Sequence, residues 1–234
     1  MEKEEFPVRI NKYLALHGYS TRLGADELIK NKKVFINGRL AVLGAKVEAG
    51  DKVEVKQNKN PKTFHYYAFN KPREVITHSP QLGEKDIKKF VPFEGVFPVG
   101  RLDKSSHGLI ILTDDGRVTD RLLNPKYIHE KEYVVEVKEK LRGSFKNKME
   151  EGIVLDDFKT KNCKVEIMGE RSFRIVLTEG KKHQIRRMCE ALFLTVRDLK
   201  RVRVMNIKLG NIPAGSFREL KGDELKTFLS SLGL

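Results

Sequence analysis

The chain has few cysteines and no tryptophan, and it contains no long apolar run. Its two cysteines, Cys163 and Cys189, are far apart, and no Cys/His spacing typical of a zinc site accompanies them. This favours a protein of the reducing cytoplasm without a bound metal. No segment has the apolar length of a membrane span, and the opening MEKEEFPVRI lacks the apolar run of a signal peptide, so we expect neither membrane association nor secretion. Because no nucleotide-binding loop or flavin signature is present, no cofactor is expected.

Positive charge is abundant. The 234 residues include 46 Lys and Arg against 32 Asp and Glu, which gives a formal net charge of +14. Such a field attracts polyanions, and nucleic acid is the partner that it predicts, although a generally cationic surface without a specific partner is the alternative. An anionic membrane is disfavoured because no basic amphipathic segment carries bulky apolar anchors.

Residues 7–56 form a candidate small unit. Apolar residues between Ile10 and Ile29 have helical spacing that is interrupted near Gly18, and Asn37-Gly38 between apolar residues predicts a hairpin. The following QNKNPKT is polar and contains Pro61, as is typical of a linker. We therefore expect one domain over residues 1–60 and a second over 61–234.

The first unit carries many cations around little apolar surface. They form a phosphate-contacting face or simply keep a tiny domain soluble; the main candidates are Arg9, Lys12, Arg22, Lys33 and Arg39. The run RINKYLALHGYSTRLGADELIKNKKVFINGRLA resembles the S4 RNA-binding domain, a helix-helix-hairpin module. This resemblance implies that the cations contact RNA.

From Phe64 onward, strand patterns alternate with helix patterns. Segments such as EKEYVVEV and FRIVLT alternate as strands do, whereas KKHQIRRMCEAL has apolar residues at helical spacing. The mixture predicts an α+β fold in which the small N-terminal unit precedes a domain of mixed, largely antiparallel sheets flanked by helices.

Asp103 is set between apolar segments and is bracketed by Arg101 and Lys104. A loop acid in an ordinary salt bridge is one interpretation. A retaining glycosidase would need a second acid nearby, and Asp114 and Asp115, which we expect in an exposed turn, are poor candidates. His107 alone does not supply a metal site.

Three ordered motifs resemble those of the pseudouridine synthases. GRLDKSSHGLIILTDDG is similar to the catalytic motif of that family, HEKEYVV to its K-x-Y motif, and EGKKHQIRRMCEAL to its third segment. Together with the S4-like unit, they cover nearly the whole chain and resemble the branch that modifies single uridines in ribosomal RNA. The C-terminal KRVRVMNIKLGNIPAGSFREL resembles the F subfamily of large-subunit (23S) rRNA pseudouridine synthases.

The resemblance implies roles for individual residues. Asp103 would be the essential carboxylate, acting as a nucleophile or as a base on the sugar, and Arg186 would pair with it. Tyr133 would lie against the uracil ring, although an ordinary strand aromatic is the alternative; Ile185 is expected in the core rather than in the pocket wall. Cations that would grip RNA around the site are Lys71, Arg101, Lys104, Lys181, Lys182, Arg187, Arg201 and Arg203.

The implied function is isomerisation of uridine to pseudouridine by base flipping in 23S rRNA or an assembling large subunit. We expect a cytoplasmic monomer that needs no metal. A catalytically inactive S4-type assembly factor is one alternative, and the same enzyme acting on 16S rRNA or tRNA is another.

Overall fold

The computed structural model describes residues 6–20, 22–56, 63–78, 81, 83–124 and 126–234, apart from the side chain of Leu23. The chain divides into two compact units, Met1–His65 with Asp114–Asp120 and Tyr66–Thr113 with Arg121–Leu234. The linker predicted at residues 57–63 lies almost wholly outside the described residues. The domain boundary near residue 60 stays a prediction.

Two helices followed by short strands make up the first unit, in the predicted order. Its elements are β1 (Val8–Arg9), α1 (Ile10–Leu16), α2 (Arg22–Lys30), β2 (Val34–Ile36), β3 (Arg39–Leu40), β4 (Lys46–Val47) and β5 (Val53–Val55). β2 pairs antiparallel with both β3 and β5, and β1 pairs with β4. Between β2 and β3, Asn37 and Gly38 have φ angles of 50° and 76°, as a type I′ turn requires. The predicted hairpin is confirmed.

A nine-stranded sheet is the centre of the second unit. The remaining elements, in chain order, are β6 (Tyr66–Lys71), β7 (Val75–Ile76), β8 (Lys85–Asp86), a 3₁₀ helix (Ile87–Phe90), β9 (Phe97–Val99), β10 (His107–Thr113), α3 (Gly116–Leu123), β11 (Lys131–Val137), α4 (Phe145–Glu150), β12 (Lys164–Gly169), β13 (Ser172–Leu177), α5 (Gln184–Glu190), β14 (Val196–Val204), β15 (Ile207–Lys208), β16 (Phe217–Glu219) and α6 (Gly222–Ser231). The sheet order is β12-β13-β11-β14-β10-β6-β16, with β9 on β10 and β15 on β14. Within it β10 and β14 run parallel and the other described pairs are antiparallel, so the predicted fold class is confirmed.

Sequence pattern explains where the central strands lie. Leu109 to Leu112 are all buried, because β10 is covered on both faces and an unbroken apolar run suits such a strand. β11 instead alternates, with Tyr133, Val135 and Val137 buried between less buried neighbours. The period of two fixes one face of β11 towards the core. Lys131, two residues before Tyr133, belongs to that same face.

Gly108 allows β10 to approach β14 closely. Its φ is +105°, and a Cβ atom at this position would lie 2.3 Å from the carbonyl oxygen of Arg201. Glycine is therefore needed here both for its backbone conformation and for lack of space. The contact fixes the start of β10, directly after the Asp103 loop, against Arg201 on β14.

The exposed turn expected at Asp114 and Asp115 is wrong. Both residues are buried, with 8% and 0% of their surface exposed. Asp115 accepts hydrogen bonds from the backbone N–H of Arg117 and from its guanidinium, because the acid stands directly before α3, where backbone N–H groups lack helical partners.

Candidate active site

Asp103 lies in the loop that joins β9 to β10. The buried Thr77 holds this loop, because its hydroxyl donates to the Leu102 carbonyl at 2.9 Å and accepts from the Leu102 N–H at 3.3 Å. The Ser106 N–H donates to the Asp103 carbonyl at 3.0 Å. The Asp103 side chain is 37% exposed. The carboxylate is thus accessible on a backbone whose position is fixed.

Lys71 also binds the backbone of the loop that carries Asp103. Its ammonium group is fully buried and donates to the carbonyl oxygens of Val75 at 2.7 Å, Pro72 at 2.9 Å and, more weakly, Lys104 at 3.5 Å. Burial lowers the pKa of Lys71 to about 8, and the negative charge of Asp103 opposes that shift. The prediction that Lys71 grips RNA is wrong, because a side chain with no exposed surface cannot reach a phosphate.

A histidine, rather than the predicted arginine, is paired with Asp103. His183 Nε2 lies 3.5 Å from Asp103 Oδ1, and the expected ion pair with Arg186 is absent from the described residues. Arg186 instead donates to the hydroxyls of Ser105 at 3.0 Å and Ser106 at 3.3 Å, the two serines that follow the Asp103 loop. His183 directly precedes α5 with a left-handed φ of 53°, a conformation that places it beside the acid and that helical spacing does not predict.

Asp103 opens onto a cavity of about 580 Å³, a volume within the usual range for small-ligand sites. Tyr133 and Ile185 line it, and both are largely buried, with 9% and 5% of their surface exposed. Ile185 therefore belongs to the core, as expected, and also to the pocket wall. Tyr133 shares the cavity with Asp103, as the resemblance implies.

Known protein families and individual proteins resemble the chain over most of its length. The family described as RNA pseudouridylate synthase matches residues 65–191, and the S4 domain matches residues 8–53. The chain is 40% identical over 224 residues to the dual-specificity RNA pseudouridine synthase RluF of Escherichia coli (strain K12), a match that covers 93% of this chain and 77% of that protein. The chain belongs to the RNA pseudouridylate synthase family.

Two further relatives of the synthase cover nearly its whole length. It is 35% identical over 230 residues to the ribosomal large subunit pseudouridine synthase B of Bacillus subtilis (strain 168), covering 93% of this chain and 94% of that one. A crystal structure of a pseudouridylate synthase matches with a TM-score of 0.71 and 26% identity, over 94% of this chain and 99% of that chain. The resemblances to the S4 domain, to the enzyme family and to its F-type members are confirmed.

Two cations in the synthase, Lys131 and Arg201, line the cavity. Arg201 is 5% exposed and its Nε donates to the Leu109 carbonyl at 2.6 Å, and its contact with RNA stays a prediction. Lys131 lines the same cavity, and its place at the start of the K-x-Y motif is the one signal that could have pointed to it. Its pKa falls to about 8, first through burial and then through the charge of Arg201.

Three other predicted RNA contacts of the synthase are already paired with protein carboxylates. Lys104 lies 2.9 Å from Glu84, and Arg187 is paired with Asp157. The guanidinium of Arg203 donates to three acceptors, which are Glu132 at 2.6 Å, Glu130 at 3.0 Å and the Met205 carbonyl at 2.7 Å. The interpretation of Arg203 as a phosphate contact stays a prediction, and three of its donors already bind groups of the protein. RNA contacts of Lys104 and Arg187 stay predictions.

The other predicted contacts of the synthase are open to solvent. Arg101, Lys181 and Lys182 are exposed around the cavity. In the S4 domain, Arg9, Arg22, Lys33 and Arg39 are exposed and Lys12 is half-buried. Their roles stay predictions.

The part of the chain that the structure describes holds no group of three His, Cys, Asp or Glu side chains arranged for a metal ion. His107 is used differently: its Nε2 lies 2.8 Å from Asp198, which is also paired with Arg73. Burial lowers the pKa of His107 despite the acid. Among the described residues, none of the helices is long and apolar enough to traverse a bilayer.

Proposed function

We propose that this synthase converts single uridines of ribosomal RNA to pseudouridine, with Asp103 as its essential carboxylate. The observation that carries the proposal is that Asp103 and Tyr133 meet at one cavity of nucleotide scale. Glu179 also lines this cavity, but its carboxylate accepts hydrogen bonds from the Gln184 amide at 2.7 Å and the Lys161 N–H at 2.9 Å. Glu179 thus has a structural use, and Asp103 is the carboxylate available for the reaction.

In the proposed reaction the bond from ribose C1′ to uracil N1 breaks, the base turns, and C1′ joins uracil C5. The proton at C5 is lost and N1 gains one, so the product is an isomer and nothing is oxidised or reduced. Asp103 acts as a nucleophile at C1′ or as a base on the sugar, and both remain open. Tyr133 stacks on the base and helps to remove the C5 proton. Arg186 holds the two serines beside Asp103.

The proposed substrate is 23S rRNA, free or in an assembling large subunit, bound in the cytoplasm by a monomer. Residues 1–60 act as the RNA-binding domain and residues 61–234 as the catalytic domain. The names of the relatives support this target, since one is a large-subunit enzyme and another a dual-specificity RNA enzyme. A uridine in folded RNA is stacked or paired, so it must be turned out of the helix before it reacts.

The target is tested by mapping pseudouridine in total rRNA and tRNA from cells with and without the gene, through carbodiimide-dependent stops of reverse transcription. We expect one stop to disappear from large-subunit RNA. Loss only from 16S rRNA or tRNA keeps the enzyme and replaces the target. Loss nowhere, together with inactive purified protein, favours the inactive assembly factor.

The catalytic role is tested with Asp103→Asn, which keeps the shape of the side chain and removes the carboxylate. Tritium release from RNA labelled at uracil C5 should be abolished while RNA affinity is retained. Asp223→Asn, at an exposed acid in the first turn of α6, is the matched control and should be fully active. Residual turnover by Asp103→Asn would show that the essential carboxylate has been misassigned.

A further inference from the structure

A β-bulge directs Arg201 into the cavity. β11 pairs with β14 so that Tyr133 lies opposite Arg201 and Glu132 lies opposite Arg203, with a register shift between the two pairs. Because Glu132 and Tyr133 face opposite sides of the sheet, the irregularity turns Arg201 and Arg203 to opposite faces. Lys131, two residues before Tyr133, lines the same cavity as Arg201.

The cations on the two faces of the sheet differ in their carboxylate partners. Arg203 has two carboxylate partners. Neither Arg201 nor Lys131 has a carboxylate within 4.0 Å in the described residues, and the nearest acceptor of the Lys131 ammonium is the His129 carbonyl at 3.4 Å. Two neighbouring cations that are largely withdrawn from water and lack a counter-charge are costly to keep. The cavity lining at these two cations is thus complementary to an anion, because neither carboxylate of the cavity, Asp103 or Glu179, lies within ion-pair distance of them.

The exposure of each cation at the cavity indicates whether it would meet an RNA phosphate or the base. Exposed cations stand around the cavity at Arg101, Lys181 and Lys182, where the phosphates of a flipped nucleotide would lie. Arg201, by contrast, is 5% exposed and lies opposite Tyr133, which is 9% exposed. The group that reaches Tyr133 is the base, and the base becomes anionic when its bond to C1′ breaks.

We infer that Lys131 and Arg201 form a cationic cradle that stabilises the detached uracil anion, which makes them catalytic residues for the isomerisation. The inference rests on the proposed function. When the C1′–N1 bond breaks, its electron pair stays on the base and spreads over N1, O2 and O4, where the two cations face it. When C1′ joins C5, the C5 proton leaves and N1 takes up a proton, so the base is neutral again and the cradle is restored. Positive groups fixed before the charge develops need no rearrangement during the reaction.

The first test measures binding without catalysis. Barbiturate is a planar pyrimidine that is an anion at neutral pH, whereas uracil is neutral. By calorimetry, the full-length wild type should bind barbiturate at least tenfold more tightly than uracil. Lys131→Met should lose this preference, Lys131→Arg should keep it, and Lys164→Met, at an exposed strand lysine, is the control that should behave as wild type. Equal affinity for the two ligands in the wild type would overturn the cradle.

The second test measures the single-turnover rate of C1′–N1 cleavage on target RNA that carries uridine or 5-fluorouridine at the modified position. Loss of the starting nucleoside after RNA digestion is the readout, because 5-fluorouridine has no C5 proton to release. Loss of one preformed charge-stabilising donor costs about 10²–10³-fold in rate, and we expect this loss for Lys131→Met with uridine. The loss should be smaller with 5-fluorouridine, because the fluorinated base is a more stable anion. Equal losses on both RNAs, or barbiturate displaced by inorganic phosphate with weakened RNA affinity, would show a phosphate subsite and refute the inference.

Failure of the cradle and failure of the proposed function give different results. Asp103→Asn should keep the preference for barbiturate over uracil, because it removes a negative charge from the cavity and leaves both cations of the cradle in place. An active Asp103→Asn variant refutes the proposed catalytic acid and leaves the cradle to be judged by barbiturate affinity. Intact dependence on Asp103 with no barbiturate preference refutes the cradle alone.

Discussion

Replacing Gly108 by alanine tests whether the close approach of β10 and β14 organises the catalytic unit. The added Cβ would lie 2.3 Å from the Arg201 carbonyl oxygen and 2.8 Å from the Arg201 nitrogen, both backbone atoms that cannot rotate away. The φ of +105° is also a conformation that alanine rarely adopts. Strain at such a position costs about 1–3 kcal/mol. Relief of the clash by separating the strands adds about 1–3 kcal/mol, as for other overpacked sites.

Alanine also restricts the unfolded chain, which stabilises the folded protein by less than about 1 kcal/mol. With this gain subtracted, we expect Gly108→Ala to lower the free energy of unfolding by about 2–5 kcal/mol. Denaturant titration measures the change, and tritium release measures activity per folded molecule, which should also fall because Asp103 and Arg201 flank this contact. Gly116→Ala is the matched control, because a Cβ there meets nothing within 4 Å and its φ is not positive. If the two variants are equally stable, β10 and β14 do not approach as described.

Three further predictions concern charge. The pKa of Lys71 is about 8 in the folded protein rather than 10.5, so the unfolded chain binds more protons between these two pH values. The unfolding free energy of the wild type should therefore rise relative to that of Lys71→Met by about 2–3 kcal/mol from pH 8 to 10. Denaturant titrations at several pH values measure this difference. A gap that is flat with pH would contradict the burial of this charge. Changing Arg22, Lys33 and Arg39 together to glutamine should reduce the slope of log affinity against log salt by about 2–3 if all three contact phosphates. Filter binding at several salt concentrations measures the slope. An unchanged slope would show that these three cations do not contact RNA phosphates. His183→Ala should slow tritium release by about tenfold or less, which is a smaller loss than for Asp103→Asn. The reason is that a partner 3.5 Å from the acid orients it without replacing it. A loss equal to that of Asp103→Asn would show that the histidine is indispensable.

Local patterns predicted the elements of the fold well. The Asn37-Gly38 turn and the alternation in β11 depend on neighbouring residues alone, and both are present in the structure. The motif around Asp103 likewise indicated the loop at the cavity, because its flanking strands are strongly apolar.

The sequence did not predict how deeply particular side chains are buried or which residues they pair with. Lys71 and Arg201 look like any other basic residues in the chain, and their burial follows from strand pairing over long separations. The bulge that separates Arg201 from Arg203 is invisible to a period of two. His183 was missed because its position depends on one left-handed residue before α5.

The pocket is assembled from two kinds of backbone. Lys131, Tyr133 and Arg201 stand on paired strands, where slipping the register by one residue would turn each side chain to the opposite face. Asp103 and His183 stand on connections between elements, which tolerate changes in length more readily. A different target can be acquired by changing the connections away from Asp103 and His183, while these two residues and the strands retain the chemistry. A library seeking new targets should randomise residues 180–182 and leave Glu179 and the strands untouched.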